Sequence, residues 1–242
     1  MKRFFFINWI IINAVACEME SRLASIDVVP GIDAYVGEEI ALNVSHTPSD
    51  AIVPAFHFKS NNRFVASVND QGAVVCNRVG TCTIAIATAD TRFSTTCTVT
   101  VLPKNKLFCE PMLDFNISKT AVKLKENNRI IISETATMLV YQETEAPIQQ
   151  VMYQFDENQK LVTSAVKLSA VASSRLTNFM IERYEPYPLA EKPDLQIWRG
   201  NDMEVVTKMV DNSCFVVYNP FSGKSTYANT DQTIETFRNA CK

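Results

Sequence analysis

The sequence predicts two folded parts in tandem: an all-β sandwich, then an α+β domain with an antiparallel sheet and helices on one side. Three observations support this prediction. Short alternating apolar and polar runs fill residues 35–101, and Pro, Asn, Asp and Gly separate them. Beyond residue 103, helical and strand-like periods alternate instead. With 47% hydrophobic residues the chain can bury two cores, which we place at 26–103 and 104–242.

The strands of the first part follow from its alternation and its turn residues. Cys82, Ile84 and Ile86 share one strand face, while Cys97, Val99 and Val101 share another. Both faces are expected to point into the core. The predicted strands are 41–44, 56–58, 64–68, 73–76, one through 82–86 and one through 97–101, with turns at 47–50, 60–62, 69–72 and 89–92.

The order of these motifs resembles the bacterial immunoglobulin-like domain, group 2 (BIG2). The matching segments are 36–38, 47–51, 64–68, Gly72 and 80–84, which together cover about a third of the chain. The sequence departs from the family at Phe58, where Trp is usual, and in three cysteines that replace small or polar residues. The resemblance implies an immunoglobulin-like sandwich that serves display or binding, without catalytic residues of its own.

Residues 1–16 are predicted to be a lipoprotein signal peptide. Basic residues precede an apolar run at 4–12 that is too short to span a bilayer, and residues 14–17 resemble a lipobox. Cys17 is then the lipid attachment site, and 17–25 form a tether to the membrane. Because Ala14 replaces the commoner Leu, ordinary cleavage after Ala16 stays as an alternative. We therefore expect an outer-membrane lipoprotein of the cell envelope, facing either the periplasm or the cell surface.

The cysteines favour an oxidising compartment. With Cys17 lipidated, six of the seven cysteines remain, an even set. Cys82 and Cys97 lie at equal distances from the predicted hairpin turn, so we expect them to be bonded or in contact. A second disulfide is expected within a group of three whose spacing does not choose the pair: Cys109, Cys214 and Cys241. Cys76 either stays reduced as a small buried hydrophobe or pairs across the domain division.

Capping and periodicity predict the elements of the second domain. Ser118 is a suitable N-cap for a helix of about eight to ten residues, with Ile117, Ala121 and Leu124 on one face. The other predicted elements are strands at 130–133, 138–142, 150–155 and 161–167, a helix at 169–184, strands at 195–198, 205–210 and 214–218, and a helix at 230–240. The run 110–123 is similar to an uncharacterised lipoprotein domain of gut anaerobes, which transfers no activity.

The residues argue against catalysis. The second domain has no histidine, and no GxSxG, P-loop or GxGxxG motif occurs, so we expect no enzyme and no cofactor. The absence of CxxC and the presence of only two histidines argue against a metal site. Two carboxylate pairs keep an unrecognised hydrolase as a third alternative: Asp202 with Glu204, and Glu182 with Glu185. Scattered basic residues and a net charge of −3 exclude nucleic acid as a partner.

Aromatic and polar residues near the predicted turns are the candidate binding site. Trp198, Arg199, Tyr187 and Tyr227 combine rings with polar neighbours, as in sites that stack on sugars or anchor proteins. The plainer interpretation is that these rings belong to the core. The sequence therefore favours a non-catalytic envelope lipoprotein that presents its second domain to a protein, glycan or cell-wall partner. The alternative is a structural or regulatory envelope protein that acts on a neighbouring enzyme or channel.

Overall fold

The computed structural model describes residues 21–188, 195–221, 223 and 229–240, and these residues form mostly strands arranged in four sheets. The strands of the N-terminal part are β1 (Ser25–Asp27), β2 (Gly31–Tyr35), β3 (Glu39–Ala41), β4 (Ser45–Thr47), β5 (Phe56–Ser60), β6 (Ala66–Val68), β7 (Ala73–Cys76), β8 (Gly80–Thr88) and β9 (Ser94–Leu102). A four-stranded sheet, β2-β9-β8-β5, and a three-stranded sheet, β3-β7-β6, share one core, while β1 pairs with β4. This arrangement is consistent with an all-β sandwich, which we call the sandwich.

The two long strands of the sandwich supply the core as their alternation predicts. Ile84 and Ile86 of β8 and Val99 of β9 are fully buried, and they meet Ala66 and Val74 of the opposite sheet. The pairing of β2 with β9 is parallel, and nothing in the local sequence pattern indicated it. The remaining pairings within the two larger sheets are antiparallel.

Two strand predictions in the sandwich were wrong in their bounds. The predicted strand at 41–44 covers the end of β3 and the gap before β4, because the N–H of Leu42 bonds outside the strand ladder, to the carbonyl of Gly72 (2.9 Å). The predicted strand at 64–68 shortens to β6, because the N–H groups of Val65 and Ala66 donate to Asn62 in a turn (3.2 and 3.1 Å). The predicted strand at 73–76 is confirmed as β7.

Gly72 occupies a position that requires glycine. Its φ is +78°, a left-handed conformation that side chains disfavour, and a Cβ there would lie 2.9 Å from the ring of Phe58. The turn predicted at 69–72 therefore lies directly against Phe58.

The C-terminal region, residues 103–240, is organised around one eight-stranded antiparallel sheet of order β10-β11-β12-β13-β17-β16-β15-β14. Its elements are α1 (Lys119–Lys125), β10 (Ile130–Thr135), β11 (Met138–Gln142), β12 (Ile148–Phe155), β13 (Leu161–Ser169), a 3-10 turn (Ala170–Ala172), α2 (Ser173–Ile181), β14 (Glu185–Tyr187), β15 (Leu195–Arg199), β16 (Met203–Val210), β17 (Ser213–Pro220) and α3 (Thr230–Ala240). The predicted strands all occur, and β14 is an addition.

The helices lie on both faces of this sheet, so the prediction of helices on one side was wrong. Helices α1 and α2 pack on one face through Val122 and Phe179, whereas α3 packs on the other through Ile234 and Phe237. Helices are needed on both faces because strands such as β11 bury side chains on each side of the sheet. The residues of 138–141 are all buried, although successive side chains point to opposite faces, so each face needs a cover.

The predicted N-cap of α1 is confirmed, but the face of α1 that points inward differs from the predicted one. The hydroxyl of Ser118 accepts the N–H of Ala121 (3.2 Å), which is the expected N-cap of α1. The inward residue of this seven-residue helix is Val122, while Leu124 is 70% exposed. Helix α2 is shorter than predicted, since Ile181 is its last residue and an edge strand containing Pro186 follows.

One buried carboxylate joins the sandwich to the C-terminal region. Both the backbone N–H and the side-chain amide of Asn105 donate to the carboxylate of Glu182 (2.9 and 2.5 Å), and the backbone carbonyl of Glu182 accepts the N–H of Val79 (2.8 Å). Asn201 donates to Asn62 across the same junction (2.9 Å). These contacts tie Val79, which directly precedes β8, and Asn105, in the linker between the two parts, to the end of α2.

Candidate functional site

The structure brings three of the four candidate binding residues to the β14–β15 edge of the sheet, while Tyr227 lies outside the described residues. Trp198 is only 4% exposed, and its indole N–H faces the hydroxyl of Thr207 (3.4 Å). Strand alternation turns Trp198 toward the core under α2, so it is a core residue and not an exposed stacking platform. The plainer interpretation of this ring is therefore the right one.

Arg199 is held in place by rings and by a buried carboxylate. Its guanidinium lies 3.5 Å from the ring centre of Tyr187 and 4.8 Å from that of Phe221. It also forms an ion pair of 3.6 Å with Glu204, whose side chain is fully buried. Tyr187 remains 40% exposed. Arg199 therefore contacts both rings at the β14–β15 edge, and Tyr187 is the more exposed of the two.

Neither predicted carboxylate pair forms a two-carboxylate active site. Asp202 is exposed and lines a cavity of about 190 Å³ between the sandwich and the C-terminal region, whereas Glu204 lies buried against Arg199. Glu182 is part of the junction, and Glu185 forms an exposed ion pair with Arg78 (3.7 Å). The two carboxylates of each predicted pair thus lie in different surroundings and do not act together.

Two further carboxylates lie inside the C-terminal region, in polar networks. Glu110 accepts the hydroxyl of Tyr184 (2.7 Å) and lies 3.6 Å from the guanidinium of Arg183. Burial raises the pKa of Glu110, against the opposing effects of Tyr184 and Arg183. The carboxyl of Glu126 accepts the hydroxyl of Tyr153, which is fully buried.

Arg129 links this second network to the surface. It pairs with Glu126 and, at 2.7 Å, with Glu143. The hydrogen bond from Arg129 lowers the pKa of Glu143. The charged groups of both networks thus pair with one another, and neither network contains a histidine or a free nucleophile beside a base among the described residues.

Cys82 and Cys97 are free thiols, so of the two predicted alternatives, bonded or in contact, the bonded one is not found. Cys82 is opposite Val99, and Cys97 is opposite Ile84. The hairpin turn is centred later than predicted, because the N–H of Thr88 closes it by bonding to the carbonyl of residue 93 (3.0 Å). This moves the register by two residues and separates the two cysteines along the ladder. Burial raises the pKa of both thiols.

The second predicted disulfide is also absent within the described residues. Cys109 is exposed and free, and Cys214 is buried and free, while Cys241 lies outside the part of the chain that is described. Burial raises the pKa of Cys214 to about 11, which makes it a packed thiol and not a nucleophile. Cys76 is a free buried thiol, as one of the two alternatives predicted.

Three larger concavities lie on the C-terminal region. A groove of about 610 Å³ runs past Phe108, Arg129, Glu143 and Arg183. A pocket of about 420 Å³ adjoins Tyr187. The third, of about 430 Å³, lies between the sheet and α3, and we call it the α3 cleft; its lining residues are Gln154, Val162, Thr163, Asn219, Pro220, Asn229, Gln232, Thr233 and Thr236.

The α3 cleft is the site that sequence reasoning missed, although a signal was present. Asn229, Gln232, Thr233 and Thr236 follow the spacing i, i+3, i+4, i+7, which places them on one helix face. This stripe consists of neutral polar side chains and contains no aromatic residue, so exposed rings do not mark it. Over the described residues, no group of three or more His, Cys, Asp or Glu side chains is arranged to hold a metal ion.

No family model matches this chain, and no curated protein matches it either. Several solved structures align with it at low identity. Domains 5–6 of the S-layer protein SbsC are 13% identical over 84% of this chain and 86% of that one, with a TM-score of 0.29. A surface glycan-binding protein of Bacteroides ovatus, SGBP-B of the mixed-linkage glucan utilization locus in complex with a mixed-linkage heptasaccharide, is 11% identical over 84% and 41%, with a TM-score of 0.32.

A SusE-like surface located polysaccharide binding protein from the Bacteroides thetaiotaomicron heparin utilisation locus is 11% identical over 82% of this chain and 33% of that one, with a TM-score of 0.22. The chain spans about a fifth of the length of the first S-layer structures it matches. At these TM-scores the likenesses do not bear on what this chain binds. Among the described helices, none has the length and apolar character needed to cross a bilayer.

Proposed function

We propose that this chain is a non-catalytic lipoprotein of the cell envelope, in which a BIG2-like immunoglobulin domain presents a C-terminal α+β domain for binding. One observation carries the proposal. The enclosed charged groups of the C-terminal region pair with one another, so among the described residues its concave surfaces hold no acid and base poised together and no nucleophile beside a base. The ligand is a glycan, an envelope protein or a cell-wall polymer.

The junction at Glu182 supports the presenting role of the first domain. A buried carboxylate that accepts two hydrogen bonds from Asn105 holds the linker against the end of α2. A module fixed in this way acts as a spacer that sets the orientation of the next domain. The lipid on Cys17 would place this assembly at the outer membrane.

Mass measurement of the native protein, with and without reduction, tests the anchor. The expected result is a chain that begins at Cys17 and carries a diacylglycerol, in the membrane fraction. Reduction is expected to leave the masses of peptides containing Cys82, Cys97 and Cys214 unchanged, because these thiols are free. An unprocessed leader on a cytosolic protein would overturn the proposal.

Incubation with glycans and cell-wall fragments tests the binding role. The expected result is retention of a ligand that is recovered chemically intact after prolonged incubation with stoichiometric protein. Release of cleaved products would instead show a hydrolase, and Glu110 with its raised pKa would then be the first residue to replace.

Exposed isoleucines favour a second candidate, a structural or regulatory protein that acts on an envelope neighbour. Ile130 and Ile132 of edge strand β10 are 65% and 44% exposed, on a strand whose outer edge pairs with none of the described strands. Under this alternative, one envelope protein co-purifies at fixed stoichiometry, and Ile130→Ser releases it. Val171→Ser is the matched control, since Val171 is exposed elsewhere. Co-purification that both variants leave intact would contradict this candidate.

A further inference from the structure

The α3 cleft has an unusual lining for a gap between a helix and a sheet. Among its described lining residues seven carry amide or hydroxyl side chains and none carries a charge. The adjoining contact of the same helix is entirely different, because Ile234 and Phe237 pack against Val140 and Phe215 of the sheet. Helix α3 therefore has one stripe that seals the core and a second, neutral polar stripe that faces the cleft.

The floor of the cleft is built from buried polar groups. Thr163 of β13 and Asn219 of β17 are 6% and 8% exposed, and the hydroxyl of Thr163 donates to the amide oxygen of Asn219 (2.9 Å). Both residues belong to central strands of the eight-stranded sheet. A ligand in the cleft would therefore meet a preformed polar surface on a rigid element.

The helix side of the cleft presents hydrogen-bond acceptors. The hydroxyls of Thr233 and Thr236 donate to the backbone carbonyls of Asn229 and Gln232 (3.1 and 2.8 Å). Their protons are thus used within the helix, while the oxygen lone pairs remain as acceptors. The side-chain amides of Asn229 and Gln232 can each donate and accept.

Such a lining matches one ligand chemistry. A sugar hydroxyl both donates and accepts, as do amides, and it brings no charge into the cleft. An anionic or cationic ligand would lose hydration here without meeting an opposite charge among the described lining groups. The volume of about 430 Å³ lies within the range of roughly 300–1,000 Å³ that is common for small-molecule sites.

We propose that the α3 cleft binds a short, uncharged saccharide, with Thr163 and Asn219 as its floor and the polar stripe of α3 as its wall. This inference rests on the proposed binding function and names its ligand class. Gln232 contributes a donor and an acceptor, and Thr236 contributes an acceptor. Both lie at exposed helix positions, so replacing them weakens binding without disturbing the packing of the core.

The test is titration calorimetry of the full mature protein with uncharged trisaccharides: cellotriose, laminaritriose, xylotriose, mannotriose and maltotriose. Trigalacturonate serves as the anionic comparison. At least one neutral trisaccharide is expected to bind, and the double variant Gln232→Ala, Thr236→Ala is expected to bind it at least tenfold more weakly, because hydrogen bonds at two positions are lost. Alanine is a strong helix former, so α3 is retained, as circular dichroism can verify.

Asn239→Ala is the matched control, because this exposed amide lies on the same helix but outside the cleft. It is expected to keep the wild-type affinity. Gln154→Ala changes the opposite wall and is expected to weaken binding as well. Equal affinity in the double variant and the wild type, tighter binding of trigalacturonate, or no binding of any neutral trisaccharide overturns the inference.

Those outcomes differ from a failure of the proposed function. A lipidated envelope protein that binds a protein or an anionic polymer, and no neutral trisaccharide, contradicts the assignment of the α3 cleft alone. A cytosolic protein that lacks the lipid contradicts the proposed function, whatever the calorimetry shows.

Discussion

The sandwich and the C-terminal region have cores built from different kinds of residue. Apart from Thr88, the fully enclosed side chains of the sandwich belong to aliphatic residues and cysteines, such as Ile84, Ile86 and Cys97. The core of the C-terminal region instead encloses tyrosines, including Tyr153 and Tyr218. Apolar burial is non-directional, whereas a buried hydrogen bond is satisfied in one geometry.

This difference fits the roles proposed above, in which the sandwich is a scaffold and the C-terminal region carries the binding surface. The polar groups of the sandwich lie mainly in water, so its stability depends on the apolar area that it buries. In the C-terminal region, Glu110 and Glu126 must keep their partners inside the protein, which fixes α1, α2 and the segment before them relative to the sheet. Four tests with five substitutions examine the comparison, from the largest expected effect to the smallest.

Phe237→Ala removes the fully buried ring by which α3 packs on the sheet. The free energy of unfolding should fall by about 3–5 kcal/mol, because apolar burial is lost and a cavity remains. Urea denaturation measures this loss. The control Asn239→Ala, on the exposed side of α3, should change the free energy of unfolding by less than about 0.5 kcal/mol. A loss below 1 kcal/mol for Phe237→Ala would mean that α3 does not seal this face.

Tyr153→Phe keeps the ring but removes a hydroxyl that donates to Glu126 and accepts the backbone N–H of Met112 (3.2 Å). Both partners lose a hydrogen bond inside the protein, so the free energy of unfolding should fall by about 1–3 kcal/mol. Tyr35→Phe in the sandwich is the control, because its hydroxyl belongs to a residue that is 46% exposed. Equal effects of the two substitutions in urea denaturation would refute the proposed contrast between the two cores.

Asn105→Ala removes the side-chain hydrogen bond to Glu182 at the junction. We expect a loss of about 1.5 kcal/mol, because the acceptor is a carboxylate. Scanning calorimetry should show the unfolding of the sandwich and of the C-terminal region becoming better separated in temperature. Lys104→Ala, at the exposed neighbouring position, should leave the calorimetric trace unchanged. An unaltered trace for Asn105→Ala would show that Glu182 does not couple the two regions.

Glu110→Gln and Glu143→Gln should change the pH dependence of stability in opposite directions. The pKa of Glu110 is raised, chiefly by burial, so the folded state holds this proton more tightly than the unfolded state. Its effect on stability therefore becomes less favourable as pH rises from about 4.5 through the raised pKa. Glutamine carries no charge, so the free energy of unfolding of Glu110→Gln should increase relative to that of the wild type as pH rises.

Glu143 has a lowered pKa because Arg129 donates to its carboxylate. Its stabilising effect is present above about pH 4.5 and is lost as pH falls through the lowered pKa. Glu143→Gln should therefore be less stable than the wild type at neutral pH, with a difference that shrinks in acid. Urea midpoints between pH 3 and 8 measure both series. Parallel curves for the two variants would contradict this account.

Sequence reasoning succeeded where a local signal controls the outcome. The cap at Ser118 and the bounds of β7, β11 and α3 agree with prediction, because capping, alternation and helical spacing act over a few residues. It left the burial of Trp198 open between two interpretations, and it misplaced the register of Cys82 and Cys97. Whether a ring at a strand end is exposed depends on α2 covering it, and the cysteine register depends on where one hairpin closes.

The candidate site shows the same division. The spacing of polar residues on α3 is present in the sequence, but only the packing of α3 across β12, β13 and β17 brings Gln232 and Thr236 opposite Thr163 and Asn219. Thr163 lies more than sixty positions before Gln232 and Thr236 along the chain. No periodic pattern relates residues so distant, because their proximity is produced by the sheet order.

By itself, the sequence determined the features that depend on a few neighbouring residues: the inward faces of β8 and β9, the strand succession and the cap of α1. The tertiary structure alone decided which face each helix covers, which charged groups pair inside and where a polar cleft is left open. The physical reason is range. Backbone propensity and alternation are set by neighbours in the chain, whereas burial and ion pairing are set by neighbours in space.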